Sequence, residues 1–220
     1  MAGTLNFERA RFNMVEQQVR PWEVLDARVL DVLGEVKRED FVPARHRKLA
    51  FADLSIPLEH GESMMKPVVE GRVLQALALT GDEDVLEVGT GSGFMAACLS
   101  RLARQVVSIE IHSDLAERAR GRIGASGIRN CQVHAADAFG YQPPHAFDSI
   151  AVTGAVASVP ESFTRWLKPG GRMFIVRGAS PAMEAVLMTR QGADYIETRS
   201  LFETDLPYLQ GAQPAPRFEF

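Results

Sequence analysis

The chain has 220 residues, 46% of them hydrophobic and 24% charged, with a formal net charge of −4. That length supports one domain with a sizeable core. The mild acidity gives no support for a general binder of nucleic acid or anionic membrane, and no apolar run approaches the roughly 20 residues that a membrane span needs.

The first residues, Met1-Ala-Gly-Thr-Leu-Asn-Phe-Glu-Arg9, lack the charged-then-apolar pattern of a signal peptide. The two cysteines, Cys98 and Cys131, form no Cys-x-x-Cys pair. They read as reduced, small apolar side chains, which implies a cytoplasmic setting and no metal.

Residues 5–20 predict a helix with Leu5, Phe12, Val15 and Val19 toward one face, broken by Pro21. Asp26 suits the N-cap of a second helix, which carries Val29, Leu30, Val32 and Leu33 and fades near Gly34. Lys37-Arg-Glu-Asp-Phe-Val-Pro43 reads as a charged turn with an apolar anchor, and residues 44–66 as mostly irregular. Pro67 suits the first position of a helix that runs to about Leu79. Residues 1–80 are therefore expected to form a helical, loop-rich cap with no clear strand.

Residues 81–220 change character and are expected to form the core of the same compact unit. Short apolar runs at 85–88, 105–110, 130–134, 146–152 and 172–176 predict strands. Helices are expected at 94–104, at 113–125 with Ser113 as cap, and at 160–167. Lys168-Pro-Gly-Gly171 reads as the turn into the strand at 172–176. Residues 183–189 and 195–202 read as a terminal hairpin, and 211–220 as an irregular tail. Strands alternating with helices imply an α/β, doubly wound, mostly parallel seven-strand sheet. Its strand carboxyl ends share one edge, where ligands bind.

The first strand of that core runs into three glycines: Val85-Leu-Glu-Val-Gly-Thr-Gly-Ser-Gly93-Phe94. Glycine permits positive φ and close approach of a ligand to the backbone. The helix that follows points its free N–H groups at the same place. The Gly-x-Gly-x-Gly spacing differs from the dinucleotide fingerprint. Three acids strengthen the case for a nucleotide-like cofactor. Glu87 lies inside the first strand, Glu110 ends the second, and Asp137 follows the third. An acid at the end of the second strand can accept hydrogen bonds from ribose hydroxyls. Asp137 and Ala138 are expected on the adenine side, where Phe139 can pack on the ring. Glu87, Gly89, Thr90, Gly91, Ser92 and Gly93 are expected to shape the methionine and ribose pocket of S-adenosyl-L-methionine. A nicotinamide cofactor is the rival, but a hydride-transfer enzyme usually needs a further substrate segment after its cofactor half. Here the extra residues precede it.

Over residues 14–178 the chain resembles the protein-L-isoaspartate O-methyltransferases. Asp26-Ala-Arg-Val-Leu30 with Val36-Lys-Arg-Glu-Asp-Phe-Val-Pro43 is similar to the family's first helix and its "VPRxxFVP" segment. Ala50-Phe-Ala-Asp53 is similar to "AYxD", and Leu86 to Gly93 to "LEIGTGSGY". Val107-Ser-Ile-Glu110 is similar to "VxSVE", Phe147 to Thr153 to "FDxIxVTAA", and Leu167 to Gly171 to "LKxGG". The resemblance implies a class I methyltransferase (Rossmann-like) sheet under an N-terminal cap. It also implies methyl transfer from S-adenosyl-L-methionine to a carboxylate of isoaspartyl residues, a first step of protein repair, with S-adenosyl-L-homocysteine as product. The implied partner is a damaged protein or peptide.

The chain departs from the family between Gly61 and Pro67. Where the family has "GQTISQP", this chain has Gly61-Glu-Ser-Met-Met-Lys-Pro67. Ser63 stands at the Thr, Met65 at the Ser and Lys66 at the Gln. A hydroxyl donor is thus replaced by a thioether. Ser63, Met65 and Lys66 are expected to border the acceptor, with Lys66 offering a charge where the donor is lost. Near the C-terminus, Glu203 and Asp205 would repel an acidic acceptor unless they face solvent. The departure keeps two alternatives open: another acceptor such as a small molecule, with Met64 and Met65 lining an apolar pocket, or a non-catalytic S-adenosylmethionine-binding protein.

Overall fold

The computed structural model describes residues 6–192 and 195–215. Leu5 and the end of the expected tail, 216–220, lie outside the described residues. The chain begins with α1 (Phe7–Met14), capped by Asn6, whose side chain accepts from the Arg9 amide. A π turn at Val15–Val19 and a 3-10 turn at Arg20–Trp22 follow. The extra residue per turn changes which side faces inward. Arg11, Met14, Val15 and Val19 are buried, while Phe12, expected on the inner face, is exposed.

Asp26 caps α2 (Ala27–Glu35), its carboxylate accepting from the Arg28 amide, and Val29, Leu30, Val32 and Leu33 are all buried. The charged segment that follows is not a solvated turn. It forms the short helix α3 (Arg38–Phe41), with Arg38, Glu39 and Phe41 buried. Arg11 meets Glu39 at 2.6 Å, which neutralises a carboxylate that burial alone would penalise. The expected absence of strands before residue 80 is corrected by a two-residue ladder. β1 (Ile56–Pro57) pairs antiparallel with β2 (Ser63–Met64). Pro67 begins α4 (Pro67–Leu77).

The core then alternates β3 (Asp84–Val88), α5 (Phe94–Leu102), β4 (Gln105–Glu110), α6 (Ser113–Ala125), β5 (Cys131–Ala135), β6 (Phe147–Val156), α7 (Glu161–Arg165) and β7 (Leu167–Arg177). The N-cap position of α6 is His112 rather than Ser113. Residues 168–171, expected to be a turn, lie within β7 across a register irregularity with β6. β8 (Met183–Arg190) and β9 (Ile196–Thr204) close the sheet as the expected hairpin. The order is β5-β4-β3-β6-β7-β8-β9, parallel as far as β7 and antiparallel beyond.

Strand alternation splits the apolar residues between two cores. Val85 joins Leu33, Phe41, Leu74, Phe94 and Phe174 on the face that the cap covers. Leu86 and Val88 join Ile109, Phe163, Trp166 and Ile175 on the other. The chain reverses from β3 to its two neighbours at one edge, and the carboxyl ends of β3, β4, β5 and β6 open there. Among the described residues no helix is long and apolar enough to cross a membrane.

Candidate active site

The loop after β3 needs glycine for two reasons at Gly89. Its φ is +97°, and a Cβ there would stand 2.6 Å from Thr153 Oγ1. That hydroxyl donates to the carbonyls of Gly89 (2.6 Å) and Val88 (3.0 Å), so β6 clamps the end of β3. The Gly91 amide, at φ +52°, donates to Glu110 Oε2 at 2.8 Å, while Glu110 Oε1 accepts from the His112 amide at 3.1 Å. The acid at the end of β4 thus joins the glycine loop to the start of α6. Thr90 shares a hydrogen bond with Ser108, and Ser92 Oγ accepts from the Phe94 amide at 3.2 Å. Gly93 is the N-cap residue of α5.

A solvent-open cleft lies over this loop. Of the residues singled out in the sequence, Gly89, Gly91, Glu110, Asp137, Ala138 and Phe139 line it. Asp137 is exposed, and its Oδ1 accepts from the Phe139 amide at 2.9 Å. The ring of Phe139 lies 6.0 Å from that of Phe163 and is 44% exposed, leaving it free to meet a ligand. Glu62 closes the cap side, its carboxyl pushed up by burial and by the nearby Glu110.

One wall was not legible in the sequence. Pro207, Tyr208, Leu209 and Gln210 fold back across the cleft. The Ala155 amide donates to the Pro207 carbonyl at 2.8 Å, and the Leu209 amide to the Ala155 carbonyl at 2.9 Å. Gly154 makes room: a Cβ there would stand 2.6 Å from the Leu209 side chain. Ile111 and Thr153 also line the cleft and were missed. Only Ile111 left a local signal, an apolar residue directly after a strand-ending acid.

A second, narrower chamber adjoins the first, sharing Ser63, Gly89, Gly91 and Thr153 with it. Met64, Met65, Phe94 and Met95 give it apolar walls, and Glu70, Thr90 and Ser92 polar ones. Ser63 is half-buried and Met65 buried. Lys66 is exposed and lines neither chamber. Met65 also serves through its backbone, its carbonyl accepting from Arg38 Nη2 at 2.8 Å. Arg38 donates to Glu70 as well, and to the Ala50 carbonyl at 2.9 Å. Glu203 and Asp205 are exposed and line neither chamber, so they present no charge to either.

Glu87 lies under the loop rather than in the clefts. It is fully buried on the face covered by the cap, accepts from the Ser108 hydroxyl, and leaves Oε1 without a partner. Burial pushes its carboxyl from 4.5 up to about 8; Ser108 opposes the shift and Glu110 adds to it. Among the described residues no group of three or more His, Cys, Asp or Glu side chains converges as a metal site.

The arrangement presents a partly apolar slot with carboxylates at its edge, continuous with a narrower chamber beside the cap. Residues 10–206 match the family model of the protein-L-isoaspartate(D-aspartate) O-methyltransferases. The chain is 36% identical over 210 residues to the protein-L-isoaspartate O-methyltransferase of Methylorubrum populi, covering 94% of this chain and 99% of that one. It is 41% identical over 165 residues to that of Myxococcus xanthus, covering 74% and 78%. Its fold is similar to that of a Plasmodium falciparum beta-aspartate methyltransferase in complex with S-adenosyl-L-homocysteine, with a TM-score of 0.78 at 17% identity, covering 94% and 99% of the two chains. A solved protein-L-isoaspartate O-methyltransferase gives the same TM-score at 25% identity, covering 90% of this chain and 65% of that one. The chain belongs to the protein-L-isoaspartate O-methyltransferase family.

Proposed function

We propose that the protein transfers the methyl group of S-adenosyl-L-methionine to a carboxylate of isoaspartyl residues in damaged proteins and peptides. The observation that carries this is one cleft, at the strand carboxyl edge of a family member, that gathers the glycine loop, Glu110 and Asp137. In this reading Glu110 accepts from the ribose hydroxyls, and Asp137, Ala138 and Phe139 hold the adenine. Gly89 to Gly93 carry the methionine chain, and Glu87 supports the loop from below. Ser63 and Met65 border the acceptor, and the exposed Lys66, next in sequence to Met65, draws an acidic acceptor from solvent.

The chemistry asks little of the protein. A carboxylate oxygen attacks the sulfonium methyl carbon, the C–S bond breaks, and a neutral methyl ester and a neutral thioether result. An ionised carboxylate needs no general base. The protein supplies alignment and exclusion of water. In this reading the cap residues Ser63 and Met65 and the C-terminal wall do this. Two cysteines that stay free, Cys98 and Cys131, agree with a cytoplasmic setting.

A second reading, the same methyl donor with a different acceptor, is favoured by one observation. The wall beside the shared residues is made by Met64 and Met65, where the family has a serine hydroxyl. Labelled S-adenosylmethionine with an isoaspartyl peptide separates the two. Base-labile methyl ester on the isoaspartyl peptide, and none on its aspartyl counterpart, is the expected result. Label absent from the peptide but present on another component of a cell extract would establish the second reading instead.

A further inference from the structure

We infer that Glu70 is the residue that receives the α-ammonium group of the cofactor's methionine moiety, in the second chamber beside the cap. This role rests on the cofactor reading proposed for the cleft and extends it to a residue outside the glycine loop.

The two ends of S-adenosylmethionine differ chemically. The nucleoside is flat and carries hydroxyls, while the amino-acid head is a zwitterion. Glu110 and Asp137 lie in the first chamber and suit the nucleoside. From Glu110 the rest of the molecule must cross Gly89 and Gly91 to approach the acceptor side at Ser63. Those residues are the ones shared by both chambers, so the head enters the second. An ammonium group buried there without an anionic or carbonyl acceptor would be costly. Among the described residues that line this chamber, Glu70 is the only ionisable one. Glu87 is sealed beneath the loop, and Glu62 belongs to the first chamber.

Glu70 is also held in place before any ligand arrives. It is 2% exposed, in the first turn of α4, where the helix dipole favours a negative charge. Arg38 donates from Nη1 to Glu70 Oε2. Arg38 itself cannot swing away. It is tied to the Ala50 and Met65 carbonyls and lies over the Phe94 ring at 4.7 Å. The pair is therefore neutral and rigid. A zwitterionic head adds no net charge to it: the ammonium faces Glu70, and the carboxylate faces the N-terminal end of α5, where Ser92, Phe94 and Met95 line the chamber. Ligand ammonium and Arg38 then sit on opposite oxygens of one carboxylate.

Calorimetric titration of the full chain with S-adenosylhomocysteine and with 5′-methylthioadenosine tests this, because the second ligand has the nucleoside thioether but no amino-acid head. Glu70→Gln keeps a hydrogen-bonding partner for Arg38 and removes the charge. It is expected to weaken S-adenosylhomocysteine on the order of 10- to 100-fold, the range of a charge-assisted hydrogen bond, and to leave 5′-methylthioadenosine within about twofold. If that variant does not fold, Glu70→Asp, which keeps the charge but withdraws it by one methylene, is read by the same ratio. Equal losses for both ligands, or no loss for either, would overturn the inference and leave Glu70 as a structural ion pair. Failure of the unaltered protein to bind either ligand would sink the cofactor reading itself, and the inference with it.

Discussion

Glu87 shows how burial changes what a residue does. Its place in the strand, two residues before Gly89, made it a natural candidate for the cofactor pocket. Alternation instead puts it on the same face as Val85, inside the core that the cap covers. With its carboxyl raised from 4.5 to about 8 by burial, it is mainly a neutral acid at pH 7. The folded state then holds a proton that the unfolded state gives up near 4.5. Its contribution to stability is full below that value and is lost as pH rises through about 8. Across this window the loss approaches about 1.4 kcal/mol per pH unit. Glu87→Gln copies the neutral form and is expected to remain folded at pH 6. Urea unfolding from pH 5 to 9 should show the unaltered protein losing stability relative to the variant as pH rises. Parallel curves would mean that Glu87 is ionised in the fold. Glu110, by contrast, is held at the cleft edge by two backbone amides and stays available to a ligand.

At the scale of elements, the local signals were strong. Asp26 caps α2, Pro67 opens α4, and Gly93 precedes α5, each where its own backbone chemistry puts it. The failures are equally specific. Nothing local marks the π turn after α1 or the inward turn of Arg38 and Glu39, because both answer to partners far along the chain. The segment after β9 is the clearest case. Residues 207–210 carry no strand or helix pattern, yet their backbone pairs with Ala155 and their side chains wall the cleft. A chain ending at Thr204 keeps all seven strands of the sheet. It is expected to fold and to lose about 1.5–3 kcal/mol from the exposure left by the buried Leu206. Its affinity for S-adenosylhomocysteine should fall at least about tenfold, because Leu209 and Tyr208 no longer cover the ligand. Denaturant unfolding and calorimetry measure the two effects separately, and unchanged affinity would remove this segment from the site.

For the whole molecule, the question is whether residues 1–80 form a unit of their own. Ion pairs cross from them to the core, with His60 at 2.9 Å from Asp114 and Arg118 at 3.2 Å from Glu59. His60 also stacks on His112 at 4.0 Å. Exposed pairs of this kind contribute under about 1 kcal/mol each. The shared core outweighs them: Leu33, Phe41 and Leu74 pack in one cluster with Phe94, Leu99 and Phe174, at about 1.5–3 kcal/mol for each buried side chain. We therefore expect one cooperative unfolding transition, with cap and sheet melting together. Circular dichroism and tryptophan fluorescence should report the same midpoint, since Trp22 lies near the cap's outer turn and Trp166 in the core. Two separated midpoints, or a folded fragment of residues 81–220, would show an independent cap.

The sequence by itself determined those features that depend only on neighbours along the chain. The period-two and helical runs, the caps, the glycines at positive φ and the acid that ends β4 are consequences of local backbone sterics and hydrogen bonding. They were enough to place the fold class and to point to residues along one edge of the candidate cleft. Which strand face is covered, where Arg38 and Glu70 meet, that Lys66 stays outside both chambers, and that residues 207–210 close the cleft were decided only in three dimensions. Each of these depends on which distant group arrives to neutralise a charge, satisfy an amide or exclude water, and no local pattern encodes that partner.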